Sequence, residues 1–222
     1  MRQPLMVVAV MFGMVHSGIA ATSSISVISS RSDLSNPQTV NWSQLGPAGT
    51  QITQPFQISA DGGFPITVYK NNSNTKYLRA DEGNGFLGDF SLNEPLLFST
   101  SLTAIDIIFS QPVWGVGANA QLAAFPNLPT SWQPFVLVKR SDGPDVMFTL
   151  PQDTNDGLEN GTAPFVGILS TGPSITEVLF DSFHGGNTAI NNLSIMVPEP
   201  CSVGIMSVAL VGFLVRRRRS RA

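Results

Sequence analysis

Residues 102–118 read Leu102-Thr103-Ala104-Ile105-Asp106-Ile107-Ile108-Phe109-Ser110-Gln111-Pro112-Val113-Trp114-Gly115-Val116-Gly117-Ala118. Ile105, Ile107 and Phe109 recur at the two-residue period of a strand, so these odd positions face a core while Asp106 points outward. Pro112 has no N–H to give to a ladder, which fits a strand end or edge. A second apolar run, 113–118, follows at once. Two strand-like runs meeting at a Gln-Pro step set the fold class.

The rest of the body repeats this grammar. Short apolar or alternating runs at 25–28, 52–58, 66–70, 96–98, 102–109, 113–118, 135–139, 146–150, 165–169, 175–180 and 189–197 are parted by Gly, Pro, Asn and Ser. That spacing predicts an all-β sandwich. No window between residues 21 and 200 carries a helical period of ten or more residues. Gln-Pro recurs at 54–55, 111–112 and 133–134, as punctuation before apolar residues. Glu82-Gly83-Asn84-Gly85 reads as a turn.

Both ends differ from this body. Arg2, the apolar run 5–15 and the small residues Gly18 and Ala20 form a secretory signal peptide over 1–20, addressed to the Sec export machinery and cleaved before Ala21. At the other end, Val197-Pro198-Glu199-Pro200 precedes an uncharged stretch, 201–215, and then Arg216, Arg217, Arg218, Arg219 and Arg221. A helix over 201–215 rises about 1.5 Å per residue. It is therefore shorter than the roughly 30 Å hydrocarbon layer and spans it only with snorkelling arginines and local thinning. Clustered arginines mark the cytoplasmic side and leave the body outside. The two prolines keep Glu199 out of the helix, in an accessible extended peptide at the membrane surface.

This three-part order resembles the PEP-CTERM sorting signal of bacterial exported proteins. The resemblance implies recognition and cutting by a membrane-embedded exosortase at Val197, Pro198, Glu199 and Pro200, with Arg216, Arg217, Arg218 and Arg219 as the retaining tail. Cys201 stands where Ser, Ala or Thr is more usual, and cysteine is a small apolar substitute. The phrases Phe109-Ser110-Gln111-Pro112-Val113-Trp114-Gly115-Val116-Gly117-Ala118, Ala163-Pro164-Phe165-Val166-Gly167-Ile168 and Ile190-Asn191-Asn192-Leu193-Ser194 are similar to phrases in PEP-CTERM bodies. They imply a jelly-roll-like β-sandwich akin to lectin-type and carbohydrate-binding modules. Asn191 stands where the family more often has Asp, which weighs against a cation role there. The expected domains are thus 1–20, a sandwich over 21–197 and a sorting signal over 198–222.

Between residues 21 and 200 there are six basic and fifteen acidic side chains, a net of −9. Such a surface opposes nucleic acid and electrostatic membrane binding. Cys201 is the only cysteine, so no internal disulfide forms and the core must stabilise the exported domain alone.

Candidate chemistry is sparse. The body has one histidine, His184, and no Gly-x-Ser-x-Gly elbow, so a Ser-His-Asp hydrolase using Asp181 is disfavoured. Carboxylate pairs for glycoside hydrolysis are not selected by any pattern. Asp153, Asn155, Asp156 and Glu159 gather oxygen donors suited to calcium, off the EF-hand spacing, and a plain solvated turn is the competing reading. Trp132, in a Pro-rich stretch, is the candidate sugar platform against a local packing role, with Trp114 assigned to core or rim. The expected protein is an exported, non-enzymatic sandwich. It is held briefly at the inner membrane, then delivered to the cell surface or matrix with a structural or polysaccharide-binding role. A secreted carbohydrate hydrolase is the alternative.

Overall fold

The computed structural model describes residues 22–69, 76–100, 104–123, 130–155, 157–183 and 187–198. The expected signal peptide, the sorting signal from Glu199 onward, Asp156 and His184 lie outside these. Among the described residues no helix is long and apolar enough to cross a membrane.

Among the described residues, eighteen strands follow in chain order. The first six are β1 (Ile25–Ile28), β2 (Gln38–Val40), β3 (Thr50–Thr53), β4 (Phe56–Ser59), β5 (Pro65–Tyr69) and β6 (Lys76–Glu82). Next come β7 (Gly85–Phe86), β8 (Pro95–Ser99), β9 (Ile105–Val113), β10 (Gly115–Leu122), β11 (Thr130–Trp132) and β12 (Pro134–Arg140). The last are β13 (Val146–Thr149), β14 (Asp153–Asn155), β15 (Phe165–Ser170), β16 (Ile175–Ser182), β17 (Thr188–Ile190) and β18 (Leu193–Met196). Two 3-10 turns, Arg31–Asp33 and Trp42–Leu45, interrupt the early strands.

Sheet one runs β1-β15-β10-β17-β8-β6-β3, with β18 between β10 and β2, and β7 beside β6. Sheet two runs β13-β12-β16-β9-β5-β4, and β11 pairs with β14 separately. Ile105, Ile107 and Phe109 of β9 are buried with Val136, Val138, Val178 and Phe180 of sheet two. The same cluster holds Val116, Ala118, Val166, Ile168, Ile190 and Ile195 of sheet one. One apolar layer therefore lies between two sheets, as in a sandwich. The alternation expected for 105–109 holds, with Asp106 only half-buried.

The chain changes sheets across one peptide. Val113 faces Ile175 in sheet two, whereas the Trp114 N–H already donates to Met196 O at 2.8 Å and its carbonyl accepts from Ser170 N at 2.7 Å in sheet one. Trp114 is half-buried at that corner. Beyond it, Gly117 and Gly167 lie side by side in the β10–β15 ladder. A Cβ on Gly117 would stand 2.4 Å from Phe165 Cζ, and one on Gly167 would stand 2.6 Å from Phe165 Cε1. Only glycine lets the Phe165 ring lie against the outer face of sheet one.

Several expectations need correction. The run 52–58 is two strands, β3 and β4, in different sheets, parted by Gln54 and Pro55, whose peptide is cis. The run 189–197 is likewise broken at Asn191 and Asn192. The expected sequence strands also omit β6, whose sequence KYLRADE looks like surface; yet Arg79 and Glu82 are buried, and Arg79 pairs with Asp81. Buried charge conceals a strand from any reading based on apolar periodicity. The turn after Glu82 is present, with Gly83 and Gly85 at positive φ.

Candidate functional site

The outer face of sheet one carries an unusual concentration of polar side chains, and a bulge creates it. On β10, Gly117 faces Ser194 of β18 and Ala120 faces Ile190 of β17. Three steps along β10 thus oppose four on its neighbour, so one residue is extra, as in a β-bulge. Asn191 and Asn192 absorb it, and the bulge turns the Asn191 side chain toward β10.

The Asn191 carboxamide, buried there, is fully committed. Its Oδ1 accepts from the Asn119 N–H at 2.8 Å and from Arg31 Nη2 at 3.2 Å. Its Nδ2 donates to Glu94 Oε1 at 2.7 Å and Asn119 Oδ1 at 3.1 Å. Because one partner is an N–H and another a carboxylate, the amide orientation is fixed by the network. The Asn191 carbonyl accepts from Trp42 Nε1 at 2.8 Å, anchoring the bulge to the core.

Arg31 supplies the second half of the site. The turn Arg31–Asp33, capped by Ser30, lays its guanidinium across β10 and β18. Nη1 donates to Asn192 O at 2.9 Å and to Ser194 Oγ, while Nη2 also reaches Asn119 Oδ1 at 3.2 Å. The guanidinium carbon lies 5.4 Å from the centroid of the Phe165 ring, within cation–π range. Burial works against the Arg31 charge and Glu94 works for it. Glu94 is itself held, its Oε2 accepting the Ser91 N–H at 3.2 Å.

Above this network lies an open cleft of about 440 Å³, lined among others by Arg31, Thr39, Ser91, Glu94, Asn119 and Asn192. Asn192, one of the lining residues, has its Oδ1 buried without a hydrogen-bond partner. The lining is thus rich in amide, hydroxyl and charged groups held in place from behind.

The residues singled out from sequence fall elsewhere. Trp132 is not a loop platform: it ends β11 and is fully buried in the layer between the sheets, so neither ring face reaches solvent. Asp153 and Asn155 are in strand β14 and not in a loose loop. Asn155 is buried, donating Nδ2 to Leu122 O at 2.5 Å and accepting from Gly157 N at 2.9 Å. Glu159 lies beyond it at positive φ, and Asp156 is outside the described residues. Among the described residues no group of three His, Cys, Asp or Glu side chains is placed to hold a metal ion. Asp181 Oδ1 accepts the N–H of Ser182 at 2.8 Å. Val197 and Pro198 are half-buried just past β18.

Sequence reasoning gave no site role to Arg31, Glu94, Asn119 or Asn192. The one available signal was the paired asparagine inside an apolar run, which marks a bulge where a continuous strand was expected.

No protein-family model matches the chain, and no curated protein matches it. Among solved structures, that of CsCBM6-3 from Clostridium stercorarium in complex with cellobiose aligns with 78% of this chain and 94% of that one. The identity is 11% and the TM-score 0.21, a likeness too low to say anything of ligand or site here.

Replacing Asn191 with Asp removes two donors and sets a carboxylate against Glu94 Oε1. The expected cost is about 2–3 kcal/mol, read as a lower urea midpoint at unchanged slope. Adding Glu94→Gln recovers part of it, because the glutamine amide can donate to the new carboxylate. An Asn191→Asp variant as stable as the parent contradicts the assigned hydrogen bonds.

Proposed function

We propose that this chain is an exported bacterial β-sandwich that binds a hydroxyl-rich ligand, a polysaccharide segment, in the cleft on the outer face of sheet one. The carrying observation is the cleft itself: an open volume of about 440 Å³ walled by planar amides, hydroxyls, Arg31 and Glu94. Such groups alternate donors and acceptors at fixed positions, which suits the closely spaced hydroxyls of a sugar. Asn192 also lines the cleft, and its Oδ1 is not consumed by the fold; rotation of its carboxamide would bring that buried oxygen to a ligand.

The role is binding, without catalysis. Hydrolysis of a glycosidic bond ordinarily needs two carboxyl groups across the bond. Glu94 is the one carboxylate among the described lining residues, and both its oxygens are engaged. The jelly-roll-like topology, and export through a Sec signal peptide over 1–20, belong to the same reading. So does exosortase cutting at 197–200, after transient anchoring in the inner membrane by 201–215 and Arg216 to Arg219. These rest on the sequence pattern of the two ends. The address is the cell surface or extracellular matrix. Calcium by way of Asp153, Asn155, Asp156 and Glu159 is not needed by this reading.

Affinity measurements on a panel of neutral and acidic polysaccharides test the cleft. Asn192→Ala is expected to weaken binding about tenfold, the equivalent of one good hydrogen bond. Met147→Ala, at an exposed residue on the outer face of sheet two, should leave affinity unchanged. The reverse pattern moves binding to the other sheet and ends this assignment. For the delivery half, the intact mass of protein recovered from producing cells should lack both the first twenty residues and the arginine tail; a product ending at Ala222 contradicts it.

A further inference from the structure

Glu82 closes β6, and its side chain is fully buried. By the alternation of that strand it shares the outer face of sheet one with Leu78 and Ala80, beneath the chain 83–94. Oε1 accepts the N–H of Gly88 at 2.7 Å and of Gly83 at 3.2 Å. Oε2 is buried with no well-formed hydrogen bond, the Phe90 N–H being a further donor that acts on the carboxyl group. A carboxylate oxygen left in that state costs far more than a satisfied one.

The surroundings of Oε2 explain what is missing. The point where a Cβ on Gly88 would sit is 3.2 Å from Glu82 Oε2 and 2.8 Å from Gln121 Oε1, so two acceptor oxygens flank it. Gln121 cannot turn its NH2 toward Glu82. Its Oε1 accepts the Asp89 N–H at 2.7 Å and its Nε2 donates to Asp89 Oδ2 at 2.8 Å. The other charged groups facing Glu82 are acids: Asp89 beyond Gln121, and Glu159, whose Oε1 is 2.9 Å from where a Cβ on Gly83 would lie. Asp89 is occupied with the N–H groups of Gly157 and Leu158 at 2.8 and 3.3 Å. Arg79 is paired to Asp81 on the opposite face of β6. Among the described residues, no cation is directed at Glu82.

We propose that Glu82 is carried as a neutral carboxylic acid, and that loss of its proton to water loosens the loop forming one wall of the cleft. The coupling is direct. Glu82 N donates to Glu94 O at 3.1 Å, and Asn93 N donates to Glu82 O at 3.1 Å. The main chain of Glu82 thus clamps one end of the segment carrying Phe90, Ser91 and Glu94, while its Oε1 holds Gly88 near the other. Burial, the largest influence, pushes the Glu82 carboxyl up to about 7; the N–H groups of Gly88, Gly83 and Phe90 pull it back, and Glu159 adds to the rise. Because the folded state keeps this proton to higher pH than the unfolded chain does, stability is greatest on the acid side. It declines as pH climbs from about 4.3, the ordinary glutamate value, through about 7, and is level above. That the loop walls a ligand cleft rests on the reading above; the protonation of Glu82 does not.

The test uses no ligand, so its failure is separable from failure of the binding reading. In the full chain, the side-chain carboxyl carbon of Glu82 is followed by NMR against pH, with Tm and amide exchange measured in parallel. The expected results are a midpoint near 7 and a fall in Tm of roughly 5 °C or more between about pH 5 and 8. Exchange at Gly88 and Ser91 should quicken across the same midpoint. Glu82→Gln, which mimics the protonated form, removes the Tm slope, and Glu159→Gln moves the midpoint to lower pH. An ordinary glutamate midpoint overturns the proposal, as does a Tm slope that survives in Glu82→Gln or a midpoint that follows added calcium. Exchange at Gly88 and Ser91 that ignores pH overturns the coupling to the loop. Should Glu82→Gln fail to fold, the carbon titration of the parent chain decides alone.

Discussion

The N–H groups that a half-buried guanidinium turns away from water need acceptors from protein, and on the outer face of sheet one that demand comes from Arg31. Four acceptors answer it: the Asn192 carbonyl, Ser194 Oγ, Asn119 Oδ1 and Asn191 Oδ1. Their positions exist only because β17 and β18 are separated by a bulge, so the cation and the irregularity support one another. A lysine could not serve, since its ammonium lacks the planar fork that spans two strands. The Phe165 ring beneath the cation needs flat backbone under it, which accounts for glycine at 117 and 167. Local sequence, packing and site geometry are therefore a single constraint seen at three scales.

Strand β10 is where these scales meet. It leaves the Val113–Trp114 corner, sends Val116, Ala118, Ala120 and Leu122 into the layer between the sheets, and exposes its other edge of side chains to the site. Gly115 and Gly117 admit close packing there, while Asn119 and Gln121 reach the polar groups above. Asn119 organises the Arg31 network; Gln121 holds Asp89 and, through it, the residues 157 and 158. A rigid strand with its inner face locked in the core is a suitable base for a binding surface, because side chains on it lose little further freedom when a ligand arrives.

Much of the frame was legible in sequence. The period of two in 105–109, the strand runs 25–28, 135–139, 146–150, 165–169 and 175–180, and the all-β class follow from alternation that burial enforces locally. Three things were not legible, for one shared reason. The strand β6, the bulge at Asn191 and Asn192 and the burial of Trp132 each depend on partners distant in the chain. Arg79, Asp81 and Glu82 look solvated in sequence, yet Arg79 pairs with Asp81 and Glu82 is buried. Asn155 looks like a loop residue in sequence, whereas it is buried in β14 with its Nδ2 held by Leu122 O. The site was missed because its residues come from six separated segments, none of them unusual alone.

The claim on which the functional account depends is that ligand meets the outer face of sheet one. Amide chemical-shift mapping during titration with oligosaccharides from the matrix of the producing cells tests it most directly. The account predicts perturbations gathered at Arg31, Thr39, Ser91, Asn119 and Asn192. Perturbations gathered instead around Leu137, Met147 and Leu179, on the far side of the sandwich, would contradict it.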